Sequence, residues 1–146
     1  MDMDAVTLAR WGCGWFFLVA LLTGVWKYKC IVSSEEARAP VYVDIAHRAA
    51  FLYAFSCLLF AHFAQLSRWP ERWNFLGVAV ALLFFATAHG TYLVHGVLRD
   101  TDNQMQKPYR VGKQKIPAAL MHGYMIALII GEIGGFLVVF SGAMLA

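Results

Sequence analysis

Long stretches of this sequence carry no charge: from Trp73 to Leu98 there is not one Asp, Glu, Lys or Arg. Charged residues make up 14% of the chain and apolar residues 60%, against about 25% charged in soluble domains. That scarcity excludes an ordinary water-soluble domain. Cysteine is scarce too. Cys13, Cys30 and Cys57 are odd in number, far apart and without a C-x-x-C pair, which argues against a disulfide framework or a zinc site. Phosphate-binding motifs are missing, both G-x-x-x-x-G-K-[ST] and G-x-G-x-x-G. So are H-E-x-x-H and the G-x-S-x-G nucleophile elbow. Nucleotide use and hydrolase chemistry therefore have little support. Twelve Lys and Arg exceed nine Asp and Glu, but the excess is too small and scattered to point to a nucleic-acid partner.

What the sequence does contain is four apolar runs fenced by charges. They predict an all-α fold, a single four-helix transmembrane domain over 1–146, with helices at about 6–26, 45–66, 73–98 and 116–146. Each run supplies the roughly 20 residues needed to cross the hydrocarbon layer. Barrel strands would be shorter and would alternate apolar with polar residues. The first run is not an obvious signal peptide, because Asp2 and Asp4 stand where a basic segment belongs. Pro70 and Pro117 suit the first turns of the third and fourth helices. Ser33 and Glu36 have capping-box spacing, which predicts a short helical turn in the first loop, ended by Pro40.

Lys27, Lys29, Arg38, Arg48, Arg99, Lys107, Arg110, Lys113 and Lys115 lie around loops 1 and 3, and only Arg10, Arg68 and Arg72 lie on the other side. The positive-inside rule then places loops 1 and 3 in the cytoplasm. Gly131 and Gly135 have G-x-x-x-G spacing, and Ala86 and Gly90 form a similar pair. Such pairs read as close helix packing within the chain or as an oligomer seam.

Chemistry must come from the few polar residues inside these runs. Ionisable groups in a bilayer are costly and mark functional candidates. His47, His95 and His122 share the membrane side of loops 1 and 3, together with Asp44, Arg48, Arg99 and Asp100. His89 and Glu132 fall near the middle of their helices at similar depth, and His62 stands alone towards the other side. A mid-bilayer carboxylate needs a partner or stays protonated, so His89 is the expected partner of Glu132, as a structural clasp or part of a proton path. On the third helix His89, Tyr92 and Gly96 share a face, with His95 beside Tyr92. Gly90 and Gly96 leave room for something bulky to approach. Histidines against aromatic and glycine surfaces suit a flat macrocycle such as haem, although an aromatic stripe at this spacing also reads as plain core.

Ala46-His47 at the start of the second helix and Gly90-Thr91-Tyr92 on the third, 45 residues from His47 to Tyr92, resemble the styrene oxide isomerases and the related hydroxylaminobenzene mutases. These are small four-helix bacterial membrane proteins. The resemblance covers helices 2 and 3 and implies a homotrimer in the bacterial inner membrane, with haem b at subunit boundaries. It implies His47 as the axial iron ligand and Tyr92 as a catalytic residue. An active-site asparagine of the isomerases is matched in position by Tyr53, so the shared fold need not carry the same substrate. Arg48 and His95 are further candidates for cofactor contacts, and Asn103, in the polar third loop, for reaching the pocket. The implied function is a haem-dependent rearrangement of a small apolar epoxide-like substrate to a carbonyl compound. Two other readings stay open. One is a b-type electron-transfer cytochrome with two axial ligands drawn from His47, His89, His95 and His122. The other is a non-enzymatic membrane subunit or transporter using Glu132 and His89.

Overall fold

A computed structural model describes residues 3–145. Four long helices run up and down: α1 (Ala5–Val32), α2 (Val41–Leu66), α3 (Glu71–Leu98) and α4 (Ala118–Met144). At 26 to 28 residues each and about 1.5 Å per residue, every one is long enough to span a bilayer with some tilt. The protein is thus an all-α, four-helix transmembrane bundle. Only 22% to 33% of each apolar span is buried inside the chain, so most of its apolar surface faces lipid or another protein.

The helix ends differ from the sequence expectation in instructive ways. Pro40, Pro70 and Pro117 are N-cap residues immediately preceding their helices, where the sequence placed Pro70 and Pro117 in the first turn and Pro40 at the end of a loop turn. Pro40 therefore starts α2, four residues earlier than expected. Helix α1 continues past Trp26 to Val32, because Lys27 and Lys29 sit close enough to its end for their ammonium groups to reach water. The Ser33–Glu36 capping box does not form. Ser33 instead ends α1 and its hydroxyl donates to the Lys29 carbonyl. Ala146, expected to close the fourth helix, lies outside the described residues. At the start of α1, Asp4 accepts from the Thr7 N–H, which holds its carboxyl below the usual range.

Helix α1 packs mainly on α2, and α3 on α4, with α2–α3, α1–α3 and α2–α4 contacts closing the bundle. Small residues set these distances. A side-chain carbon at Gly135 would lie 2.5 Å from the Gly77 carbonyl oxygen, and one at Gly77 would lie 2.9 Å from that of Gly135. The Gly131–Gly135 spacing is thus used for contact within the chain. The Ala86–Gly90 pair is not, since nothing lies within 4 Å of a carbon added at Gly90.

The two ends of the bundle are tied differently. Loop 2 is a four-residue turn fastened by polar bonds: Ser67 donates to Asn74, Asn74 to the Trp69 carbonyl, and the Arg68 N–H to the Gly142 carbonyl. Loop 3, residues 99–117, is longer and carries an unexpected small hairpin. Its strands, β1 (Arg110–Val111) and β2 (Gln114–Lys115), pair antiparallel through a turn in which Gly112 has φ +59, a conformation that suits glycine.

Candidate functional site

Helix α2 carries the candidate residues on two flanks. His47 and Tyr53 are six residues apart, which at 3.6 residues per turn places them about 120° apart around the helix. Ala46, Ala50 and Cys57, all fully buried, occupy the stripe between them. His47 accordingly meets α1 at Ala20, whereas Tyr53 faces Phe85 of α3 and also reaches Phe16 of α1.

On the α1 flank, His47 Nδ1 lies 2.9 Å from the Ala20 carbonyl oxygen. A carbonyl only accepts, so Nδ1 carries the proton and Nε2 keeps its lone pair. Gly24 makes the approach possible, because a side-chain carbon there would stand 2.9 Å from His47 Cε1. Phe51 meets the imidazole edge-on at 5.2 Å and in turn packs on Phe17. Both phenyl rings are well exposed on the outer face of the bundle. An imidazole fixed through one nitrogen, with the other left basic, is the usual arrangement of a metal-ligating histidine. No cluster of three or more His, Cys, Asp or Glu that could hold a metal occurs among the described residues. A haem needs no such cluster, since its porphyrin supplies four ligands and one histidine can supply the fifth. The donor therefore fits an axial ligand. The apolar surface around it is open to the outside of the bundle rather than an enclosed slot.

On the α3 flank, Tyr53, Tyr92 and Arg48 line one groove with Ile45, Ala49 and Leu52, about 440 Å³ in volume. Tyr53 stacks on Phe85 at 4.6 Å and Tyr92 on Tyr42 at 6.2 Å. Arg48 pairs with Asp44 at 3.0 Å, and Asp44 also takes Lys27 at 2.5 Å. Two of the expected catalytic residues and one expected cofactor residue thus share a cavity, and His47 lies on the other flank.

His95 and Asn103 are placed otherwise. His95 is 3% exposed, packs on Tyr42 at 5.0 Å and donates from Nδ1 to Asp100 Oδ1 at 2.8 Å. Asp100 Oδ2 accepts from the Gly112 N–H, so this histidine and aspartate clamp the hairpin of loop 3 to the end of α3. Burial works against the Asp100 charge, but the bonds from His95 and Gly112 outweigh it and hold the carboxyl below its ordinary 3.8. Asn103 is exposed in a loop cleft with Thr101, Gln104 and Arg110, and its side chain accepts from the Met105 N–H. It approaches the groove only indirectly, since the neighbouring Gln104 N–H donates to the Tyr42 hydroxyl at 2.5 Å.

The expected His89–Glu132 pair is not formed. His89 is 4% exposed and neither ring nitrogen has a hydrogen-bond partner. It is enclosed by ring edges, Phe16 at 6.2 Å and Tyr53 at 6.4 Å. Glu132 Oε1 is also buried without a partner. It lines a separate cavity with Phe60, Phe85 and Phe136. His89 lies nine residues from the loop 3 end of α3 and Glu132 fourteen from the loop 3 end of α4, about 7 Å apart in depth, and aromatic rings pack around each. Leaving a buried polar group unpaired costs about 1–3 kcal/mol. Gly96, expected to admit a bulky ligand, instead admits the Trp26 ring of α1, which would lie 2.9 Å from a carbon added there. His122 pairs with the Tyr109 hydroxyl at 3.3 Å, and His62 is exposed beside Phe63.

The partners that matter most were not visible in the sequence. The Ala20 carbonyl and Gly24 become relevant to His47 only once α1 and α2 are paired. Tyr42 and Gly112 likewise gain meaning from the fold of loop 3. Comparison with known proteins returns nothing for this chain: no family model, no curated protein and no solved structure matches it.

Proposed function

We propose that this chain is a haem-dependent membrane isomerase, in keeping with its resemblance to the styrene oxide isomerases and hydroxylaminobenzene mutases. The observation that carries the reading is the bond from His47 Nδ1 to the Ala20 carbonyl, which leaves Nε2 basic and fixed in direction. Haem b, when bound, supplies a ferric Lewis acid able to polarise an epoxide oxygen. His47 would hold the iron, and Arg48, exposed at the rim, would pair with a propionate carboxylate. Tyr53 and Tyr92 orient the substrate oxygen through their hydroxyl groups. The aromatic rings near them favour positive charge developing on carbon as the ring opens. A 1,2-shift then gives the carbonyl isomer with no net oxidation, so no nicotinamide or flavin is required.

Because His47 and the tyrosine groove lie on different flanks of α2, one chain does not present both to one substrate. The reading therefore includes assembly, with the His47 flank of one copy facing the tyrosine groove of the next, as in a homotrimer. The apolar substrate enters from the bilayer. Nine of the twelve basic residues lie on the loop 1 and loop 3 side, which supports a bacterial inner membrane orientation with those loops in the cytoplasm.

The test is turnover. Detergent-purified, haem-loaded protein is incubated with aryl epoxides and aryl hydroxylamines, and products are separated by chromatography. Conversion of an epoxide to its carbonyl isomer is the expected result. No rearrangement of any member of either series overturns the reading.

A further inference from the structure

Helix α2 carries a second cavity, deeper than the tyrosine groove. Ile45, Ala49 and Leu52 of the groove are followed on the same face of α2 by Ser56 and Leu59, which line the cavity around Glu132. The two spaces lie in succession along α2. The rings of Tyr53 and Phe85, stacked at 4.6 Å, stand between them, since Tyr53 lines the first and Phe85 the second. The second cavity has a volume of about 320 Å³. It opens on the outer face of the bundle past Ile133 and Leu137, both more than half exposed. Glu132 lies about 20 Å from either end of α4 along its axis, so the opening faces the middle of the hydrocarbon layer.

The lining is selective in its chemistry. Phe60, Phe85 and Phe136 supply three aromatic rings, whose faces attract cations. Phe60 meets Phe85 and Phe136 edge-on at 6.2 and 5.7 Å, which fixes the box. The Ser56 hydroxyl donates to the Leu52 carbonyl and offers no proton inward. Among the described residues of the lining Glu132 alone is ionisable, and its Oε1 is buried without a hydrogen-bond partner. No Lys or Arg lies at this level of any helix. A carboxylate within aromatic walls, reached through lipid, has complementary charge and shape for one class of ligand.

We propose that the Glu132 cavity binds a hydrophobic organic monocation, an aryl-substituted ammonium, taken from the bilayer. Its charged head meets the Glu132 carboxylate and its aryl group lies among Phe60, Phe85 and Phe136. A permanently charged ligand displaces the carboxyl proton to solvent. A neutral amine accepts that proton on its nitrogen, giving the same ion pair. This site needs no iron and stands apart from the isomerase reading.

The test uses the full-length protein in detergent, without added haem, and benzyltrimethylammonium as the probe in equilibrium dialysis against empty micelles. Saturable binding in excess of micelle partitioning is expected. Glu132→Gln, nearly isosteric and uncharged, should weaken it by about tenfold or more. The uncharged isostere neopentylbenzene should bind the two proteins alike. Ile133→Trp, at the mouth and with the carboxylate intact, should also weaken the cation and gives a second reading should Glu132→Gln fail to fold. Wild-type uptake no greater than that of micelles overturns the proposal, as does undiminished binding by both variants.

Discussion

The loop 1 and loop 3 end of the bundle and its membrane centre treat polar groups in opposite ways. At the end, polar side chains are paired: Lys27 and Arg48 on Asp44, His95 and Gly112 on Asp100, Tyr109 on His122, Gln104 on Tyr42. At the centre, His89 and Glu132 are left without partners among apolar rings. Water is near at the end of the bundle and absent at the centre, so the unpaired groups sit where they cost most. A fold retains such groups against that cost most readily when something other than the chain completes them. His47 falls between the two regimes. One of its nitrogens is held by the Ala20 carbonyl and the other keeps its lone pair.

Substitutions in the two regions test this contrast. The largest effect is expected from His47→Ala, which should remove essentially all bound haem from the purified protein while its helical circular dichroism is unchanged. Full haem content would make His47 another paired end residue and nothing more. Tyr92→Phe should keep haem and lose turnover by about a hundredfold, measured as initial rate of epoxide rearrangement. An unchanged rate would remove the hydroxyl from the chemistry.

Smaller effects should follow from the residues that hold the bundle together. Gly135→Val pushes methyl groups against the Gly77 carbonyl, and should cost about 2 kcal/mol in denaturant unfolding in detergent. A neutral result would mean that α3 and α4 separate more easily than their contact implies. The smallest change is expected at loop 3. The Asp100 carboxyl is depressed below its ordinary 3.8, so its contribution is fully present above that value and is lost as pH falls through the depressed one. Hydrogen exchange at the Gly112 amide, taken relative to its intrinsic rate at each pH, should therefore be slow at neutral pH and quicken only in strong acid. Asp100→Asn should raise it about tenfold at neutral pH. Equal exchange in the two proteins would show that the hairpin is held by its strands rather than by the clamp.

The four spans were legible because charge is excluded from apolar runs of membrane length, which needs no knowledge of packing. Helix ends were less legible. The sequence shows Pro40, Pro70 and Pro117 but not whether each stands inside or just before its first turn, and Lys27 and Lys29 hide the last turns of α1. The hairpin around Gly112 was invisible, since two-residue strands leave no periodic signal. Within the site, position along a helix could be read from residue counts, which put His47 and Arg48 near one end of α2 and Glu132 near the middle of α4, but the similar depth expected of His89 and Glu132 depended on where α3 and α4 end. Which helix each flank of α2 would meet could not be counted. The expected His89–Glu132 clasp failed because the two groups lie at different depths on α3 and α4 and because Tyr53, Phe85 and Phe16 surround them; only the packed structure tells which rings intervene.

The role proposed for His47 is to hold a haem whose other face is open. It is tested most directly by the absorption spectrum of the detergent-purified protein, oxidised and dithionite-reduced, with and without carbon monoxide. A haem b spectrum whose reduced form shifts on adding carbon monoxide is expected. A reduced spectrum indifferent to carbon monoxide would mean a second histidine on the iron, as in an electron-transfer cytochrome. The absence of any Soret band after expression with added haem would contradict the claim outright.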